Sequence, residues 1–366
     1  MTALTSSVLL IIAAQAAPAV PPPPPVVQTV RPTARKLDVW EASEIACDNG
    51  ENLSGDTIHR VQPTRYLAFG RGSEAVDYTF VLGREARALS ITRSPEDEPL
   101  GRANDFAPAI AGSVFPAFED ETKCRVTFTK TAIPLDEASM EDLVLFRVSG
   151  RPASVPKEVW DKHFPGDCRA SPSRRPLNIA YPDFRTIEKT PGAPDWVIYR
   201  YGSDAQGRPT NIEIVDSSGS SELNEAGVDA LTRSQWTGGA RTGCLHYYWA
   251  ASDVVQTSEP PEQESFGDAP IACDLPGRWE LEPRLTYPNN FQRRGIEGWA
   301  VLRFDVAPWG EIGNVEVLDA QPATEFGDAA SKILDNAKFR PMGNGLTGCI
   351  DRVFFRLPAQ SDEAAE

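Results

Sequence analysis

The sequence predicts an α+β protein built as tandem small units, each running strand, strand, helix, strand and each closed by one disulfide. Three observations carry that reading. The six cysteines fall as Cys47 and Cys124, Cys168 and Cys244, Cys273 and Cys349, at separations of 77, 76 and 76 residues. Within Arg284 to Leu357, two-residue alternation gives way to three- and four-residue recurrence and returns to alternation, which is the order of a strand, a helix and a strand. Finally, Trp196 to Trp236 lies on Trp299 to Phe339 without a gap at a constant offset of 103 residues.

Residues 1–17 read as an export signal, with Val8 to Ala14 as its apolar core and Ala14-Gln15-Ala16 fitting the small-x-small cleavage rule. The apolar run is shorter than the ~20 residues of a spanning helix. The alternative is an uncleaved anchor. Residues 18–36 form a proline-rich segment in which Pro21 to Pro25 is extended and semi-rigid. The first unit, residues 37–134, is a degenerate copy. Val76, Tyr78, Phe80 and Leu82 alternate, Leu89 and Ile91 give a short strand, Asn104 or Asp105 caps a helix holding Phe106, Ala109 and Ile110, and Val126 and Phe128 close the unit. Residues 135–167 are a linker with an extra element, since the run Leu143 to Val148 reads as either a strand or a short helix. The middle unit is residues 168–257. There Val197, Tyr199 and Tyr201 alternate, Leu223, Ala226, Ala230 and Leu231 make a helical stripe, and Leu245, Tyr247 and Trp249 form the closing strand. A second linker, residues 258–267, carries Pro260-Pro261 and three glutamates.

The last unit, residues 268–358, is the clearest. It opens on Tyr287-Pro288 and Gly295-Ile296-Glu297-Gly298, and Ala300, Leu302, Phe304 and Val306 then share one side of a half-buried strand. Gly310 marks a turn, Val315 and Val317 alternate, and Phe326, Ala329, Ala330, Ile333, Leu334 and Ala337 form one apolar helical stripe. Phe339-Arg340-Pro341 ends that stripe, and Val353, Phe355 and Leu357 alternate with Arg352, Phe354 and Arg356. Residues 359–366 are an acidic tail. These motifs, in this order over about 75 residues, resemble the C-terminal domain of the TonB energy-transducer family. The resemblance implies a three-stranded antiparallel sheet carrying helices on one face, and a last strand that pairs with a peptide from an outer-membrane transporter.

Composition narrows the function classes. Thirty-six basic against 52 acidic residues give a net charge of −16, which disfavours nucleic acid or an anionic membrane surface as the main partner. Membrane contact is expected only if the N-terminal segment stays uncleaved. No pair of cysteines has zinc-knuckle spacing, and His59, His163 and His246 stand singly, so neither a metal nor any other cofactor is expected. Equal spacing in an exported chain makes the cysteines intramolecular staples. The chain has no nucleophile elbow, no zincin motif and no phosphate-cradling loop, so no catalytic residue is assigned and the protein reads as a non-enzyme. The resemblance implies a periplasmic binder of the TonB type, soluble after export or anchored in the inner membrane facing the periplasm. Its partner would be an envelope protein or transporter peptide added as a strand at Arg352, Phe354 and Arg356. The other reading is a periplasmic scaffold with no energy-transducing role.

Overall fold

The computed structural model describes residues 36–65, 74–94, 105–148, 155–269, 273–274 and 277–358. The export signal, nearly all of the proline-rich segment and the acidic tail lie outside the described residues. Among the described residues no helix is long and apolar enough to cross a membrane.

In the first unit, β1 (Lys36–Ala42), β2 (Ile45–Cys47), β3 (Asn52–Leu53) and β4 (Thr64–Arg65) precede the hairpin of β5 (Ala75–Leu82) and β6 (Leu89–Ser94), then α1 (Phe106–Gly112) and the long β7 (Thr122–Pro134). The expected strand, strand, helix, strand is present as β5, β6, α1 and β7. The sheet, however, has seven strands among the described residues rather than three. β5 lies along one side of β7. Along the other, β2 pairs at Cys47 with Cys124, and β1 pairs from Ala42 with Phe128 out to Lys36 with Pro134. The chain ahead of the β5–β6 hairpin has therefore added itself to the outer edge of the closing strand. The alternation of Leu37 and Val39, both fully buried, is what makes β1 a strand with one committed face.

α2 (Met140–Val148) and α3 (Lys157–His163) follow, so the apolar run at Leu143 is a helix. Its residues divide between two cores: Leu143 and Phe146 pack with Leu37, Val39 and Val159, whereas Val144 and Leu145 pack with Phe164, Trp196 and Ile198. A helix apolar on several sides is a helix buried between neighbours.

The middle unit comprises β8 (Pro176–Asn178), β9 (Asp195–Ser203), β10 (Pro209–Ser217), α4 (Ser221–Thr232), β11 (Gln235–Trp236) and β12 (Arg241–Ala250). The last comprises β13 (Trp279–Leu281), α5 (Asn289–Arg293), β14 (Gly298–Val306), β15 (Ile312–Gln321), α6 (Thr324–Leu334), β16 (Lys338–Phe339) and β17 (Leu346–Phe355). Their main sheets have the same antiparallel order, β10-β9-β12 and β15-β14-β17, with the first strand in the centre. Each carries a β-bulge with a left-handed asparagine, Asn211 and Asn314, both at φ 51°. Each also needs one glycine: a Cβ on Gly207 or Gly310 would collide with the carbonyl oxygen of Trp236 or Phe339, whose N–H donates back to that glycine's own carbonyl.

One difference from the sequence reading concerns β9 and β14. Alternation predicts a half-buried strand, yet both are buried on both faces over their first five residues. The helices take one face. The other is covered by the segment preceding each unit: Val144, Leu145 and Phe164 over Trp196 and Ile198, and Phe266 with Ala269 over Trp299, Val301 and Ile350. Arg200 and Arg303 tie these segments down in the same way, donating to the carbonyls of His163 and Phe266 while pairing with Glu213 and Glu316.

The cores are not three separate ones. Val76, Tyr78, Phe80, Phe106 and Phe128 of the first unit belong to the same apolar cluster as Leu302, Phe304, Phe326, Phe339 and Phe355 of the last. Ile91 N–H donates to the Pro322 carbonyl at 2.9 Å, and Ser90 N–H to Gln321 at 2.7 Å. At the junction sits Arg294, 2% exposed, whose Nε donates to Asp105 at 2.8 Å while its other nitrogens reach the carbonyls of Gly192 and Arg60. One guanidinium thus touches all three units. Of the two residues expected to cap α1, Asn104 lies outside the described residues, and Asp105 makes no side-chain cap bond and serves this pair instead.

Candidate partner-binding edge

Hydrogen-bonding the closing strand to the central strand alone leaves its other side as a sheet edge. Among the described residues of the last unit β17 pairs with β14 alone, from Gly298 opposite Phe355 to Val306 opposite Leu346. Phe355 is fully buried, its ring edge-on to Tyr287 at 5.7 Å and Phe326 at 5.1 Å. Tyr287 donates to the carbonyls of Ile296 and Phe355, which accounts for the tyrosine of the Tyr-Pro motif, and burial pushes its phenol up from the usual range. Val353 is partly buried against the same core.

The alternate residues point the other way. Phe354 is 37% exposed, and the guanidiniums of Arg352 and Arg356 lie 5.9 Å and 5.6 Å from its ring centre. Cation and ring stabilise each other in such a stack, and the ring is held open to solvent on a rigid strand. Asp351 turns inward to Arg278, and burial holds its carboxyl above the usual range despite that partner.

The structure brings Arg352, Phe354 and Arg356 together, as the alternation implies, but β17 ends at Phe355, so Arg356 and Leu357 lie just past the strand rather than on it. Sequence reasoning missed what else meets them. Glu262 pairs with Arg352 at 3.5 Å, Glu259 with Arg356 at 2.7 Å, and the nearly buried Glu297 with Arg356 at 3.0 Å. Gln263 Nε2 donates to the Ile350 carbonyl at 2.7 Å, and Arg352 N–H is taken by Asp351. The only available sequence signal was opposite charge: three glutamates in the linker and two arginines at the end of the closing strand.

The six cysteines form the three pairs Cys47–Cys124, Cys168–Cys244 and Cys273–Cys349. They set a register for comparing closing strands. Five residues beyond the second cysteine stands Phe354 in the last unit and Trp249 in the middle one, which is 44% exposed. In the first unit that position is Thr129, paired with Glu41 of β1 and Ala75 of β5. Among the described residues, the exposed aromatic is present where no strand covers the edge and absent where one does. The middle unit departs elsewhere: Tyr181, of the Tyr181-Pro182 pair that answers Tyr287-Pro288, is 63% exposed. Among the described residues, no group of three or more His, Cys, Asp or Glu is placed to hold a metal ion.

Fold and edge together define a small disulfide-closed α+β unit that presents one side of its final strand. Residues 283–350 match the family model for the Gram-negative bacterial TonB protein C-terminal, and the last unit is a TonB C-terminal domain. Protein TonB of Escherichia coli (strain K12) is 31% identical over 71 residues, which are 19% of this chain and 29% of that relative. Protein TonB of Klebsiella pneumoniae is 35% identical over 72 residues, 20% of this chain and 29% of that relative. The chain thus spans under a third of the length of these curated relatives. A solution NMR structure of the Pseudomonas aeruginosa TonB CTD aligns at 24% identity with a TM-score of 0.20, covering 22% of this chain and 91% of that one.

Proposed function

We propose that the chain is a non-enzymatic, exported envelope protein of the TonB type, whose last unit captures an extended peptide by strand addition to β17 in connection with transport across the outer membrane. The observation that carries this reading is Phe354, exposed between Arg352 and the flanking Arg356 on a strand whose outer side no described strand pairs. Main-chain groups of such an edge give affinity, and the outward side chains give selection. The chain supplies its own precedent at the first unit, where β1 lies antiparallel along β7. The membrane-protein partner follows from the family of the last unit. The test is capture of a transporter's periplasmic peptide by the full oxidised chain and by Phe354→Lys: loss of capture with an unchanged melt supports the reading, and undiminished affinity contradicts it.

The middle unit is, on this account, a divergent copy of the last. Its shared strand order, paired asparagine bulges and paired Arg200 and Arg303 contacts support that reading. The first unit, with its β5, β6, α1 and β7, is a more distant copy.

A specific observation also favours the scaffold reading. The described residues fall in one compact unit, and a buried arginine at the junction makes that unit a rigid platform rather than a string of beads. Energy transduction requires an inner-membrane anchor, so the mature N-terminus in fractionated cells separates the two. A chain beginning near Ala17 in the soluble periplasmic fraction supports the scaffold or binder. An intact Met1 in the membrane fraction supports a transducer.

A further inference from the structure

The linker ahead of the last unit is held by two different kinds of contact. Its C-terminal part is anchored by packing: Phe266, with Ala269 just beyond the linker, lies on Trp299, Val301 and Ile350, and Arg303 donates to the Phe266 carbonyl at 3.0 Å. The middle unit has the same anchor in Phe164 and the His163 carbonyl. The N-terminal part is different. Residues 259–263 reach β17 through Glu259 on Arg356, Glu262 on Arg352 and Gln263 on the Ile350 carbonyl. The glutamate side chains remain 77% and 82% exposed. Tyr247 and Ala251, at the positions of the middle unit that match Arg352 and Arg356, carry no charge for such contacts to meet.

An exposed ion pair is weak and screened by salt, whereas a packed aromatic is not. Pro260 and Pro261 prevent this stretch from pairing as a regular strand, because each lacks the N–H that a ladder requires. It therefore blunts the edge without completing the sheet.

We infer that residues 259–263 are a displaceable internal occupant of the β17 edge, and that the edge selects an extended acidic peptide whose carboxylates replace Glu259 and Glu262 on Arg356 and Arg352. This rests on the reading of β17 as the partner edge. Binding is then an exchange of one acidic segment for another. Phe266 keeps the released linker tethered, and Glu297 keeps Arg356 oriented while the outer carboxylates change.

The experiment uses the full oxidised chain and its double variant Glu259→Gln/Glu262→Gln, which alters only exposed groups. Two readouts are compared: amide exchange across Arg352 to Arg356, and NMR titration with a synthetic peptide of the sequence of residues 258–267. Releasing two exposed pairs is expected to raise both the exchange rate and the affinity for added peptide by about three- to tenfold, with an unchanged melt and a gap that closes at high salt. Equal exchange and equal affinity in the two proteins would overturn the inference. So would faster exchange with no gain in affinity, since the linker would then not be competing. If a transporter peptide protects Arg352 to Leu357 equally in both proteins, the competition falls while the partner edge stands; if protection lies elsewhere, both fall.

Discussion

Phe354 and Phe355 are neighbours in sequence and opposites in role. Phe355→Lys places an unpaired charge among Tyr287, Phe326 and the sheet, and the last unit is expected to lose its cooperative melt. Phe354→Lys is expected to leave the melt within about 0.5 kcal/mol and to affect only capture. Two-residue alternation made this pair legible, because a strand with one buried face fixes the direction of every side chain. It did not reveal that Val301 is also buried, since nothing in a strand's own pattern says what the preceding segment will lie against. His246 offers a second test at this scale. Its ring packs edge-on to Trp236 and Tyr248, and burial brings it down to about 4 from an ordinary 6.5. The folded chain favours the neutral ring. Its contribution is therefore fully present above pH 6.5 and is lost as pH falls from about 6.5 to about 4, by at most about 3 kcal/mol. Denaturant midpoints at pH 7 and 4.5 for the native chain and His246→Phe should show the variant losing less on acidification; equal losses would count against this account.

Among the elements, the strand, strand, helix, strand order of each unit was legible because each element carries its own periodicity. β1 was not singled out, because its partner strand lies about ninety residues further on and a short alternation such as Leu37 and Val39 does not say where it will pair. The linker was read as a connector on its prolines and glutamates, and its contact with β17 is a matter of tertiary charge pairing that no local pattern encodes. The disulfides were legible from spacing alone. Each closes a loop of 76 or 77 residues, and by loop entropy each contributes about 4 kcal/mol. Non-reducing peptide mapping is expected to recover the three within-unit links, and reduction is expected to lower the melting temperature. A link between units would contradict the assignment.

For the whole molecule, the sequence suggests a last unit able to fold from about Asp268 onward. The shared core and Arg294 give that fragment a specific weakness, because cutting it free exposes the apolar surface it shares with the first unit, where Ile91 bridges to Ala323. The oxidised fragment is accordingly expected to melt below the same residues in the full chain. Removing one partner of a buried pair leaves a charge uncompensated, so Arg294→Met should destabilise the chain by about 3–5 kcal/mol in denaturant titration. The double change Asp105→Leu/Arg294→Met should recover much of that loss. This junction was invisible in the sequence, where Arg294 is one arginine among many and Asp105 reads as a helix cap. The central claim, that a partner adds to the closing strand of the last unit, is tested most directly by amide hydrogen exchange on the full oxidised chain with and without a transporter peptide. The account predicts new protection concentrated at Arg352 to Leu357. Protection on β15, on β12 or away from any sheet edge, with Arg352 to Leu357 unchanged, would contradict it.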